Sequence, residues 1–273
     1  MWLNTKNGFT RANRYKVDRK SNLFMLKLVK ENAMKHIHFE EIDSTNTYLK
    51  KEYENLENLT FLTTDFQSSG HGRFDRKWFA NKEDNVLLSY LIKDKDIIEH
   101  FSYISMFTAV VIVKYLEDKG LNNVSIKWPN DVYVKGKKIA GILLEGNIPN
   151  YVVVGVGLNL NQINFDNDLR HPATSLKLEK PDFNPSSFVE SQEIIYRFNS
   201  LWADFKGDWS IYDNFIKNHN YLSKKRIKLV DGSRIIEGIV QDIDSECNLL
   251  INNGKEIAKI NTGEIIEILW VLN

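Results

Sequence analysis

Hydrophobic positions along this chain fall into two textures. Between His36 and Tyr221, apolar runs of strand length alternate with stretches of helical spacing, whereas after Ser223 short strands follow one another with only turn signals between them. His36-Ile37-His38-Phe39 alternates with period two, as a half-buried strand does. Asp43-Ser44-Thr45-Asn46 is rich in helix-capping side chains, and Tyr48, Leu49, Tyr53 and Leu56 give the following helix an apolar face. Residues 59–64 and 85–91 read as strands on either side of a polar, glycine-containing loop. Phe101, Ile104, Thr108, Val111, Ile112 and Tyr115 recur at helical spacing, with Gly120 placed to stop the helix. Further strands are predicted at 124–127, 132–134, 139–145 and 151–160, with Gly136 and Gly146-Asn147 in turns.

The stretch Tyr151-Val152-Val153-Val154-Gly155-Val156-Gly157-Leu158 is nearly all apolar, as expected of a central strand covered on both faces. Its two glycines point to close approach of another backbone or a ligand. Residues 161–185 are loop-like. Ser187-Phe188-Val189-Glu190 has capping-box spacing, which predicts a helix to about residue 206 with Ile194, Phe198 and Leu201 on one face. A second helical piece is expected over 208–221. Strands at 226–230, 234–243, 249–251, 256–260 and 264–269 then suggest a small β-barrel. Residues 1–33 read poorly as a domain, and Met25 and Met34 are alternative starts.

Composition narrows the class. The 273 residues are 42% hydrophobic and 26% charged, which fits an ordinary globular protein. Lys+Arg and Asp+Glu both number 36, so no global charge draws the chain to nucleic acid or to an anionic membrane. Residues 1–30 carry a net +7, with eight Lys/Arg against Asp18, so the remainder carries −7. Cys247 is the only cysteine, which excludes an intrachain disulfide framework and a Cys-rich metal site. No apolar run has membrane-spanning length, since residues 107–113 are cut by Lys114, and no secretory h-region precedes them. A cytoplasmic protein is expected. The basic N-terminus would also suit a transit peptide, although Ser21 is its only serine.

Three stretches carry candidate chemistry. In residues 67–78, Gly70 and Gly72 permit steep or left-handed turns, so backbone N–H groups can approach a ligand closely. His71, Arg73, Arg76 and Lys77 supply cations against Asp75, and Trp78 adds a flat apolar surface. Alone, the stretch equally fits a solvated basic loop. Lys127-Trp128-Pro129-Asn130-Asp131 is a polar-aromatic knot between two strands, where Pro129 fixes a turn and Lys127 is placed to pair with Asp131. In Gly136-Lys137-Lys138-Ile139-Ala140-Gly141, a lysine enters an apolar strand. An inward Lys138 is costly to bury unpaired and should meet an anion. There is no P-loop, no Rossmann fingerprint and no spaced His/Glu cluster for zinc.

Taken together, from about residue 34 onward the chain resembles the biotin protein ligases. The matching runs are Ser44-Thr45-Asn46, residues 70–78, residues 127–131, residues 136–143 and Gly155-Val156-Gly157-Leu158-Asn159, in the family's order. The resemblance implies an α+β fold. Residues 34–222 would form a mixed-sheet catalytic domain of the class II aminoacyl-tRNA synthetase/biotin ligase type, and residues 223–273 an SH3-like barrel. It implies an enzyme that joins biotin to ATP as biotinyl-5′-AMP, with Mg²⁺ accompanying the nucleotide. The biotinyl group would then pass to a lysine of a biotin carboxyl carrier protein or carboxylase.

By position, the resemblance assigns biotin contacts to Ser44, Thr45, Asn46, Gln67, His71, Gly72, Arg73, Lys138, Gly155 and Gly157. The nucleotide side would be Arg73, Arg76, Trp78, Asn130, Lys138 and Asn159, with Arg73 and Lys138 catalytic and no metal ligand. Nucleic acid and membrane are not expected as partners, and the resemblance leaves room for a homodimer. The region before His36 is too short for the winged helix of some relatives, so a repressor function is not expected.

Departures are also visible. His71 stands where the family usually has Arg or Lys, Phe74-Asp75 replaces a commonly basic or glycine pair, and Cys247 stands at a turn glycine. Ala33-Met34-Lys35 echoes a carrier acceptor motif, but His36 follows and no carrier-type fold surrounds it. A lipoate ligase and a catalytically inactive biotin-binding module are the competing readings. The loop at 67–78 is expected to be a lid, mobile without ligand and ordered with it.

Overall fold

The computed structural model describes residues 35–165, 172–205 and 209–269. The extension expected at 1–33, and the Ala33-Met34 part of the acceptor-like tripeptide, lie outside them. Seven strands form one mixed sheet: β1 (His36–Phe39), β2 (Phe61–Thr64), β3 (Asn85–Ile92), β4 (Val124–Lys127), β5 (Asp131–Val134), β6 (Lys137–Asn147) and β7 (Tyr151–Asn159). Their order is β1-β2-β3-β7-β6-β5-β4. Only β1 and β2 pair in parallel among the described strands of this sheet. The strand predicted from residue 59 starts later because Leu59 is left-handed (φ 58°), a conformation no strand accommodates.

Helices cover both faces of the sheet. Because side chains alternate across a strand, Leu62, Leu91 and Val153 meet Leu49 of α1 (Thr45–Glu52) on one face. Their neighbours Phe61 and Tyr90 face the other side. There the rings of Phe107 in α3 (Phe101–Asp118, after the short α2, Lys95–Ile98) and Phe198 in α5 (Ser187–Phe205, after the short α4, Leu176–Glu179) complete the core. This double cover explains why all eight residues of β3 are buried. Of the four candidate caps at 43–46, Ser44 caps α1, its Oγ accepting from Thr47 N.

The capping box does not form. Ser187 is already helical, and the Glu190 carboxylate turns inward to accept from Tyr115 Oη at 2.7 Å and to pair with Lys119. It ties α5 to α3 instead of closing the helix end. The second helical piece is a 3₁₀ turn (Trp209–Tyr212) followed by α6 (Asp213–Asn218).

The C-terminal strands β8 (Arg226–Asp231), β9 (Arg234–Ile243), β10 (Leu249–Asn252), β11 (Ile257–Ile260) and β12 (Glu264–Leu269) form an antiparallel sheet. The order is β11-β10-β9-β8-β12. Cys247 adopts the left-handed conformation (φ 61°), so the turn keeps a glycine-like shape without glycine. Its carbonyl accepts from Trp128 Nε1 at 3.0 Å, which docks this sheet on the turn between β4 and β5. No described helix is long and apolar enough to cross a membrane.

Candidate active site

A cavity of about 500 Å³ opens over β6 and β7, bounded by the start of α1, the loop at 67–78, the β4–β5 turn and the start of β12. Every residue given a biotin or nucleotide role by resemblance lines it: Ser44, Thr45, Asn46, Gln67, His71, Gly72, Arg73, Arg76, Trp78, Asn130, Lys138, Gly155, Gly157 and Asn159. The fold thus gathers five separated sequence runs into one space.

One corner is a hydrogen-bonded polar network. Thr45 donates both its backbone N–H and its hydroxyl to Gln67 Oε1, each at 2.8 Å. That fixes the Gln67 amide with its oxygen used and its Nε2 donors turned away. Ser89 Oγ, buried in a mostly apolar strand, lies 2.6 Å from both Thr45 Oγ1 and Asn46 Oδ1. Asn46 Nδ2 donates to Glu145 Oε2 at 2.8 Å. The corner offers fixed donors and acceptors for a small cyclic amide or urea.

The floor is bare backbone. A Cβ on Gly155 would stand 2.5 Å from Asn46 Oδ1, and one on Gly157 would stand 2.4 Å from the Trp78 indole. Gly141, across from Gly157 in register, also faces Trp78 at 3.0 Å. The glycines of the central strand are therefore close-approach positions. The indole lies against Gly141 and Gly157, and its buried Nε1 finds no hydrogen-bond partner among the described residues.

The opposite end is cationic. Lys138 Nζ lies 2.7 Å from Asp131 Oδ1 and 5.6 Å from the centre of the Trp78 indole. The anion that Lys138 was expected to meet is thus supplied by Asp131, the residue expected to pair with Lys127. Lys127 Nζ itself donates to Tyr133 Oη at 3.1 Å in a buried position. Arg73 donates to Asn130 Oδ1 at 3.3 Å and to the Gly263 carbonyl at 3.1 Å. Burial works against its charge, but a guanidinium retains its proton throughout the working range. Arg76 pairs with Glu264. Asn159 Nδ2 is held by the Thr174 carbonyl.

The loop itself corrects one expectation. Its left-handed residue is Phe74 (φ 58°), inside a 3₁₀ turn at Arg73–Asp75, while neither Gly70 nor Gly72 is left-handed. Gly70 is needed for proximity, since a Cβ there would sit 3.0 Å from the Trp78 carbonyl and 3.1 Å from Gln67 Nε2. Gly72 N–H donates to Arg76 O, and Trp78 N–H to Gly70 O, so the loop is a hairpin-like flap. The Phe74 ring is exposed at its tip, with the Arg73 and Arg76 guanidinium carbons 5.0 and 5.3 Å from its centre.

Comparison with known proteins accords with this geometry. The profile of the Biotin/lipoate A/B protein ligase family matches residues 38–159, and that of the Biotin protein ligase C terminal domain matches residues 223–266. The chain belongs to the biotin protein ligase family. Within that family it is 27% identical over 237 residues to the Bifunctional ligase/repressor BirA of Salmonella typhimurium, covering 82% of this chain and 71% of the relative. It is 28% identical over 214 residues to the Biotin--[acetyl-CoA-carboxylase] ligase of Mycobacterium tuberculosis, covering 76% and 78% respectively. The biotin protein ligase from Aquifex aeolicus in complex with biotin and ATP superposes with a TM-score of 0.76 at 26% identity. That match covers 85% of this chain and 97% of the other.

Several lining or supporting residues escaped the sequence reading. Ser89 and Glu145 are polar residues within apolar strands, a signal present in the sequence but not used. Asp131 was read as a partner for Lys127 and not as the counter-ion of Lys138. Gly263 and Glu264 enter the site from β12, and nothing near them in sequence announces it.

Proposed function

We propose that the protein activates biotin with ATP to biotinyl-5′-AMP and passes the biotinyl group to a lysine of a biotin carboxyl carrier protein. The observation that carries this reading is the placement of Lys138 and Arg73 at one end of a glycine floor, with the Thr45–Asn46–Gln67 network at the other. A ring held in the polar corner would lay its chain along the glycines and present its carboxylate to the cations. Attack of that carboxylate on the α-phosphorus of ATP forms a C–O–P bond and breaks the bond to the β-phosphate, and pyrophosphate leaves. Two anions must be held together in that step. Fixed cations at the developing charge are the largest single contribution an enzyme can make to it. Mg²⁺ would enter as the companion of the triphosphate.

In the second step a carrier lysine, as the free amine, attacks the acyl carbon and AMP leaves. Neither step needs a protein nucleophile. In this reading residues 34–222 perform the chemistry, residues 223–273 close the site from outside, and the protein works in the cytoplasm.

A pyrophosphate-exchange assay with [¹⁴C]biotin or lipoate separates this reading from a lipoate ligase, and exchange driven only by lipoate would overturn it. Mass spectrometry after incubation with biotin and Mg·ATP separates it from an inactive binding module, which would yield no biotinyl-AMP.

A further inference from the structure

Glu145 has no part in the chemistry above, yet three cavity-side groups converge on it. Its Oε2 accepts from Asn46 Nδ2 at 2.8 Å and faces His71 Nε2 at 3.2 Å, while its Oε1 pairs with Lys50. Asn46 and Lys50 belong to α1 and His71 to the flap, so one carboxylate of β6 joins both to the sheet. Burial opposes its charge, but the Lys50 and Asn46 donors and the nearby His71 hold the carboxyl below its ordinary range.

The two ring nitrogens of His71 face only acceptors. Nδ1 lies 3.3 Å from the Ser69 carbonyl and Nε2 lies against the Glu145 carboxylate. A neutral imidazole has a single N–H and satisfies one of them, whereas the imidazolium satisfies both. The charged groups around the ring are Glu145 from β6, Lys50 from α1, and Arg73 of the flap itself, which lines the same cleft. Lys50 and Asn46 hold Glu145 as a carboxylate, so the His71 N–H directed at it meets a charged acceptor. The Asn46 amide, oriented by the same carboxylate, turns its oxygen to Ser89 and Gly155.

We propose that Glu145 is a positioning residue that latches the flap through His71 while orienting Asn46, so that loss of this carboxylate loosens both the flap and the grip on biotin. The latch is present without ligand, and its effect on biotin rests on the proposed function. The test is hydrogen exchange of residues 68–78 in the ligand-free wild type and variants at one pH, alongside the biotin KM and kcat in pyrophosphate exchange.

Glu145→Gln should speed flap exchange by about 10-fold and raise the biotin KM more than it lowers kcat. His71→Arg keeps a donor for the carboxylate and should hold flap protection, whereas His71→Ala should lose it while leaving Asn46 oriented, and so raise KM less. Flap exchange in Glu145→Gln or in His71→Ala that equals the wild type overturns the latch. Failure of biotin to drive exchange overturns the proposed function instead, and flap protection still decides the latch.

Discussion

The guanidinium of Arg76, near the tip of the flap, is ion-paired with the carboxylate of Glu264 at the first residue of β12. With the Arg73 bond to the Gly263 carbonyl, this gives the C-terminal sheet two holds on the flap. The Arg76 side chain is half exposed, so the pair contributes about 0.2–1 kcal/mol to folding. Glu264→Gln should leave the melting temperature nearly unchanged while speeding proteolysis between Gly70 and Lys77 in the ligand-free protein. Biotin with ATP should restore protection. Unaltered cleavage would show that the sheet does not hold the flap.

Lys138→Ala removes the cation that offsets Asp131 and leaves that carboxylate facing two anionic substrates. Adenylation should fall by about 100- to 1,000-fold in kcat/KM. Adding Asp131→Asn to Lys138→Ala should recover part of that loss, because the stranded negative charge is gone. A double variant no better than the single one would mean that Asp131 acts only on structure.

Gly157→Ala introduces a methyl group where the Trp78 indole already lies 2.4 Å away. Calorimetric titration should show biotin binding lost or weakened by about 100-fold, since an added methylene in a packed site costs roughly 1–3 kcal/mol. Far-UV circular dichroism should be unchanged. Gly155→Ala should act on the same side by displacing Asn46.

Stability should depend on pH through His36, whose ring lies on β1 between Thr63 and Gln192. Burial, and secondarily the neighbouring His38, pull its pKa down to about 4 from an ordinary 6.5. The unfolded chain therefore binds a proton that the folded one refuses. Stability present above pH 6.5 is lost as pH falls toward 4, and the loss levels off below that. The ring is only half-buried, so the loss should be on the order of 1–2 kcal/mol and not the full linkage value. Urea unfolding at both ends of that range should show a smaller pH dependence for His36→Gln. An equal dependence would assign the effect to other groups.

The sequence carried most of the fold wherever the signal was local. Alternation at His36–Phe39, the apolar run around Gly155 and Gly157 and a cap within residues 43–46 all matched what formed. Expectations failed where a side chain had a distant alternative partner. Glu190 has capping-box spacing, but its carboxylate is taken by Tyr115 and Lys119 of another helix. Leu59 belongs to an apolar run, yet its left-handed backbone delays the strand. The candidate residues came together because the start of α1, the flap, the β4–β5 turn and the glycine-bearing parts of β6 and β7 line one cavity. The residues that hold them, Glu145 for His71 and Glu264 for Arg76, are 74 and 188 positions away in the chain. No local pattern encodes such pairings.

Trp78 rests on the glycine floor, and this changes what affinity means here. If biotin lies along those glycines, its arrival is an exchange of tenants: the indole must lift before the ring and chain can settle. The measured binding free energy is then a difference between two apolar occupants, not the transfer of one out of water. The heat-capacity change should accordingly be smaller than the apolar area biotin buries would suggest. The indole Nε1, without a partner where it lies, gains access to one on leaving, which eases the exchange.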